Sequence, residues 1–243
     1  MWCRRDALNF AAAKLEEGEG KLRYLTEEEE VRLLTALREK IGKRNTPFAQ
    51  DQYDLVIFWL DTGCRYAEAT TMMWDVVDFQ RGTINLYRKK VGNEADLVMT
   101  DRLREVLVRR RKLTEGRSFI FPGGKGQAWT EEDTHRAYSS AGIRETMDKV
   151  GLNEPKLVER FGTATIHTFR DTFATRLVMD GLSLYKVQKL LGHTTPLMTQ
   201  KYAKLLVKDV SQEAVELLNK RHQARSIKSP NSGEAMQVPS LAG

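Results

Sequence analysis

Cysteine is almost missing from this 243-residue chain, which holds only Cys3 and Cys64. Two such residues make neither a disulfide framework nor a metal-ligand spacing, and they suit a reducing cytoplasm. There is no HExxH pattern, no Cys/His cluster and no acidic trio, so no metal and no cofactor are expected. Long apolar runs are missing as well. The longest, LVIFWL at 55–60, falls far short of the roughly 20 residues that cross a bilayer, and no membrane partner is expected. The opening MWCRRDALNFAAAK lacks a long apolar stretch and does not read as a secretion signal. No internal repeat is visible.

What is present is enough apolar residue for a core, 41%, and an excess of cations, net +6. A chain of this length makes one large domain, or one domain with extensions. The charge favours an anionic partner, with nucleic acid first, because phosphates supply most non-specific affinity. Residues 1–24 are polar and read as a linker-like segment. Thr26 ahead of EEEE caps a helix to about Lys43, with its acids at the positive end of the dipole. A second, largely buried helix covers 51–61 and stops at Gly63; a third runs from near Arg65 to about Trp74. The period then changes to two, giving short strands around 76–79, 83–89 and 96–100, with turns at Gly82 and Gly92-Asn93. A basic helix over 101–114 carries RRRK, residues 119–126 form a loop, and Thr130 opens a helix to about Val150. VSQEAVELLNK at 210–220 reads as a last amphipathic helix, and 226–243 has the composition of a disordered tail. The expected fold class is α+β: a mainly helical domain over 25–225 with a small three-stranded antiparallel sheet.

Four residues between Thr165 and Leu205 stand at spacings that packing does not explain. His167 and Arg170 are three apart and share a helix face. Phe169, Phe173 and Leu177 form the buried stripe of that helix, leaving His167 and Arg170 on a more polar face. His193 and Tyr202 are nine apart, roughly 900° on one continuous helix and so on opposite faces. The helix is broken between them. Gly192 suits the end of one helix, and Thr195-Pro196 reads as an N-cap with proline at the first position of the next. His193 thus falls in a loop, and Tyr202 can turn back towards it. Lys201 and Lys204 flank Tyr202, which favours phenolate over phenol. An arginine, two imidazoles and a phenol together suit chemistry on a phosphate.

Upstream, Glu68 follows Arg65 by three residues and can pair with it. This is either a structural ion pair or an arginine held ready for a bidentate phosphate contact. Lys90 stands beside the turn VGNE, where it is a solvated charge or a proton donor to a leaving oxygen. Lys89 faces the opposite way, and alternation does not choose between them.

Together TGCRYAE, IHTFRDTFAT and LLGH, with KY following, resemble the tyrosine recombinase, or phage-type integrase, family. The matching region covers about 25–221. The resemblance implies a catalytic set of Arg65, Lys90, His167, Arg170, His193 and Tyr202, with Glu68 in support. Tyr202 would attack the scissile phosphate and form a 3′-phosphotyrosyl link. Arg65, Arg170 and His193 would hold the non-bridging oxygens, Lys90 would protonate the departing 5′ oxygen, and His167 would assist proton transfer. The implied partner is double-stranded DNA, with a tetramer on paired sites, in a cytoplasmic, nucleoid-associated setting in a prokaryote or phage. The implied role is integration or excision of a mobile element. Asp171 departs from the histidine or arginine often found in that family after the arginine matching Arg170. Family members usually carry an N-terminal helical clamp, for which residues 1–24 are too short, and the helix at 210–220 resembles their docking element. Two other readings share the fold: a type IB topoisomerase that relaxes DNA, and a catalytically silent DNA-binding regulator.

Overall fold

The computed structural model describes residues 21–44, 46–88, 93–125, 128–137, 140–203, 215 and 217–223. The chain divides into two units, 1–205 and 206–243. In the first, helix α1 (Glu27–Arg44) opens with a reciprocal cap. Thr26 Oγ1 accepts from the Glu29 amide at 3.2 Å, and Glu29 Oε2 accepts from the Thr26 amide at 3.0 Å. Ahead of it Arg23 is buried and paired with Glu29 at 2.7 Å, so this part of the segment expected to be a linker is tied into the fold. Helix α2 (Pro47–Thr62) starts earlier than the apolar run suggested, because Thr46 caps it and Pro47 is pre-set for the first turn. Its residues 55–60 are all buried, making it the central helix, packed against α1 and later helices.

Helix α3 (Tyr66–Thr70) stops short of Trp74. Its continuation is pulled into extended pairing: the Trp74 amide donates to the Ser118 carbonyl at 2.9 Å and the Ile120 amide to the Met72 carbonyl at 3.0 Å. A single 3₁₀ turn, Trp74–Val76, leads into the expected antiparallel sheet of β1 (Val77–Asp78), β2 (Thr83–Arg88) and β3 (Asn93–Val98). Ile84 pairs with Leu97, and both turn inward with Leu86.

Helix α4 (Asp101–Leu113) is the basic helix, but its RRRK run is not uniformly solvated. Arg110 is fully buried, at 2.8 Å from Asp51 and 3.1 Å from Asp54, with its guanidinium 4.1 Å from the Phe121 ring centroid. Arg136 joins Asp51 at 2.5 Å. Two buried carboxylates meeting these guanidiniums form an internal network, and removing one partner of such a pair typically costs about 3–5 kcal/mol.

That network also overturns the long helix expected from Thr130 to Val150. Among the described residues of that stretch, only α5 (Ala141–Lys149) is helical. The preceding residues form a small hairpin, β4 (Gly124–Lys125) with β5 (Ala128–Trp129), and an extended stretch in which His135 bridges Pro122. Drawing Arg136 and the Trp129 indole to Asp51 outweighs the local helical pattern. Helix α6 (Pro155–Phe161) was not anticipated. Helices α7 (Ile166–Met179), α8 (Leu184–Leu191) and α9 (Leu197–Gln200) complete the unit. In the second unit, residue 215 and residues 217–223 are helical, in partial register with the helix expected at 210–220. Residues 1–20 and the tail expected at 226–243 lie outside the described residues. Among the described residues no helix is long and apolar enough to cross a membrane. The architecture is α+β, mainly helical with a small antiparallel sheet.

Candidate active site

The site begins at the first turns of α7. Thr165 Oγ1 accepts from the His167 amide at 3.2 Å, while the Thr165 amide donates to Thr168 Oγ1 at 2.9 Å. This cap places His167 in the first turn and Arg170 just beyond it. They do not share one polar face as expected. The His167 side chain is 62% exposed, whereas Arg170 is only 2% exposed. The Arg170 guanidinium donates to the Gly63 carbonyl at 2.5 Å and to the Leu191 carbonyl at 2.6 Å. These carbonyls stand at the C-terminal ends of α2 and α8, where helices leave acceptors unpaired and carry partial negative charge. One cation therefore ties the turn before Arg65 to the turn before His193.

Gly63 is needed at that junction. Its φ is +61°, and a Cβ there would stand 2.5 Å from the Phe173 ring on α7. Two residues later Arg65 caps α3. Its amide donates to Glu68 Oε2 at 2.8 Å and its Nη1 to Glu68 Oε1 at 2.7 Å, so the ion pair read from the spacing is present.

Gly192, with φ +61°, ends α8 as expected and releases His193 into a loop. His193 Nδ1 lies 2.8 Å from the hydroxyl of buried Thr199 on α9. The cap of α9 is displaced by one residue from the Thr195-Pro196 reading: Pro196 is the N-cap and Leu197 the first helical residue.

Tyr202 follows α9 in a tight turn and is 1% exposed, packed among Ala174, Val178, Val187 and Leu191. Its hydroxyl donates to Asp171 Oδ1 at 2.7 Å. Lys201 Nζ reaches the same oxygen at 2.5 Å, and His167 Nε2 stands 3.9 Å from it. The expected bias towards phenolate is reversed. Burial, then the charge of Asp171 and the hydrogen bond to it, hold the phenol well above its usual range, with Arg170 opposing weakly. Lys201, one of the two lysines that suggested the phenolate, directs its charge at Asp171; Lys204 lies outside the described residues.

Although its side chain is 62% exposed, partial loss of hydration pushes His167 below the usual imidazole range, which Asp171 partly offsets and Lys201, Arg170 and Arg65 reinforce. These charges act on one imidazole, so Arg65, His167, Arg170, Asp171 and Lys201 occupy one neighbourhood. Lys90 and its alternative Lys89 lie outside the described residues. Asp171 and Lys201 were not among the candidates. The available signals were the four-residue spacing of His167 and Asp171, which puts both on one helix face, and the departure of Asp171 from the family pattern.

Residues 23–209 match the phage integrase family. The chain belongs to that family. Among its relatives, tyrosine recombinase XerC of Oceanobacillus iheyensis is 30% identical over 190 residues, covering 72% of this chain and 55% of the relative. Tyrosine recombinase XerD of Listeria innocua is 29% identical over 177 residues, 68% of this chain and 55% of the relative. The chain thus spans little more than half the length of these relatives. The catalytic domain of bacteriophage HP1 integrase superposes with a TM-score of 0.53 at 21% identity, covering 81% of this chain and 95% of that domain. At that identity the likeness speaks for the integrase fold alone.

Proposed function

We propose that this integrase-family domain is a site-specific DNA recombinase that breaks and rejoins strands through a 3′-phosphotyrosyl intermediate. The observation that carries the reading is Arg170: it binds the arginine turn to the histidine turn, one residue from the carboxylate that holds Tyr202. Phosphodiesters are inert, and fixed cations at the developing charge are the main way to lower that barrier without a Lewis acid. Tyr202 Oη attacks the scissile phosphorus as the P–O5′ bond breaks. Arg65, Arg170 and His193 take the non-bridging oxygens. Lys90 protonates the departing 5′ oxygen, and His167 assists removal of the phenol proton. A 5′-hydroxyl from another strand then reverses the step, so the bond energy is kept and no ATP is needed. The partner is double-stranded DNA, and strand exchange calls for a tetramer on paired sites, suited to moving a mobile element in or out.

The test uses a pool of nicked duplexes with randomised sequence around the nick, which traps the covalent adduct as the short strand diffuses away. A DNA-linked band resistant to SDS and boiling is expected. Binding without any adduct would instead support a silent regulator, and relaxation of an unrelated plasmid would support a topoisomerase. On the same substrate Lys90→Ala is expected to slow cleavage by roughly 10²–10³, and Lys89→Ala far less. A 5′-bridging sulfur, a better leaving group, is expected to rescue the Lys90 variant; failure of that rescue removes Lys90 from the general-acid role.

A further inference from the structure

Within the site, one contact has no place in the strand-cleavage scheme: the hydrogen bond that turns the nucleophile inward. We infer that Asp171 is a positioning residue that locks Tyr202 away from DNA, holding the hydroxyl in the protein interior until the lock is opened. The inference rests on the proposed role of Tyr202. A phosphate flanked by two nucleosides reaches only an accessible oxygen, and Tyr202 is 1% exposed. What keeps it there is specific. The hydroxyl donates to Asp171 Oδ1 at 2.7 Å, and the ring is packed among Ala174, Val178, Val187 and Leu191. The carboxylate is an ionised acceptor with a side chain 12% exposed, and a hydrogen bond to an ionised partner is roughly twice as strong as a neutral one.

Lys201 sets the strength of the lock. Its ammonium is shared between Oδ1 of Asp171, at 2.5 Å, and the Tyr202 ring face, 5.0 Å from the centroid. By drawing charge from the carboxylate it moderates the hold on the hydroxyl. A DNA phosphate arriving at Arg65 and His167 competes with Asp171 for this ammonium, whose side chain is 37% exposed. The negative charge of Asp171 also repels that phosphate, so DNA and the lock exclude one another. Opening the lock lets the hydroxyl swing out beside the arginines.

Two measurements test this on the full chain. Asp171→Asn keeps the shape and an acceptor but removes the charge; Asp171→Ser removes both, and thermal melting checks that each variant is folded. In the free protein, tetranitromethane nitrates accessible tyrosines, and mass spectrometry of the peptide holding Tyr202 reads the result. Wild type and Lys201→Ala are expected to be protected there, and the two Asp171 variants nitrated. On the nicked duplex pool, both Asp171 variants are expected to form adduct about tenfold faster than wild type. Protection of Tyr202 in folded Asp171→Asn and Asp171→Ser overturns the lock. So does a fall in adduct rate with normal melting, which would make Asp171 the proton acceptor instead. If wild type forms no adduct, the recombinase reading fails by itself, and the nitration pattern still decides the lock.

Discussion

Tyr202→Phe is expected to lose the covalent DNA adduct altogether while retaining DNA binding. The phenyl ring fills the same space among Ala174, Val178, Val187 and Leu191, so the fold persists. The lost hydrogen bond to Asp171 is worth at most about 1.5–3 kcal/mol, and Lys201 still pairs with the carboxylate. Only the attacking oxygen is gone, and no other group replaces it. Two readouts on the nicked duplex pool decide the matter: the SDS-resistant band, expected to vanish, and retention of labelled duplex on a filter, expected to be unchanged. An adduct formed by the Phe variant would remove Tyr202 from the nucleophile's place.

The second large effect is expected at Arg170, where catalysis and stability fall together. Arg170→Lys keeps a charge but replaces a planar fork by one ammonium, which does not reproduce two divergent hydrogen bonds. The Gly63 and Leu191 carbonyls are buried partners of that fork, and each acceptor left unpaired costs about 1–3 kcal/mol. The turns bearing Arg65 and His193 then lose their common anchor. Single-turnover cleavage is expected to drop by roughly 10²–10³ or more, with a lowered melting temperature. Arg65→Lys provides the contrast. Arg65 is more exposed and pairs with Glu68 within its own helix turn, so its loss is expected to slow cleavage comparably with little change in melting. If Arg170→Lys melts early but cleaves at the wild-type rate, Arg170 is a structural cap and not a phosphate ligand.

These two residues also mark how far the sequence could be read. The cap of α1, the buried α2, the three-stranded sheet, the Gly63 and Gly192 stops and the Arg65–Glu68 pair were all legible. Each depends on neighbours within a few residues: a capping hydroxyl, a left-handed glycine, alternation, or a three-residue spacing. The failures lie where a distant partner won. The helix expected from Thr130 is shortened to α5, with bends and extended chain ahead of it, because Arg136 and Trp129 reach Asp51 on α2. The third helix ended early because Met72 and Trp74 pair with the backbone near Ser118.

By itself, then, the sequence determined the order of the TGCRYAE, IHTFRDTFAT and LLGH motifs, the helix that carries His167 and Arg170, and the break that frees His193. Spacing along a chain specifies direction on a helix and the place of a turn. It does not specify burial or the charge of a neighbour brought from another element. Tertiary structure alone decided that Arg170 points inward to two helix ends. It also decided that Tyr202 is buried and that its nearest charge is Asp171 on α7, thirty-one residues back in the chain. Protonation and accessibility follow from desolvation and from charge a few ångströms away, and packing sets both.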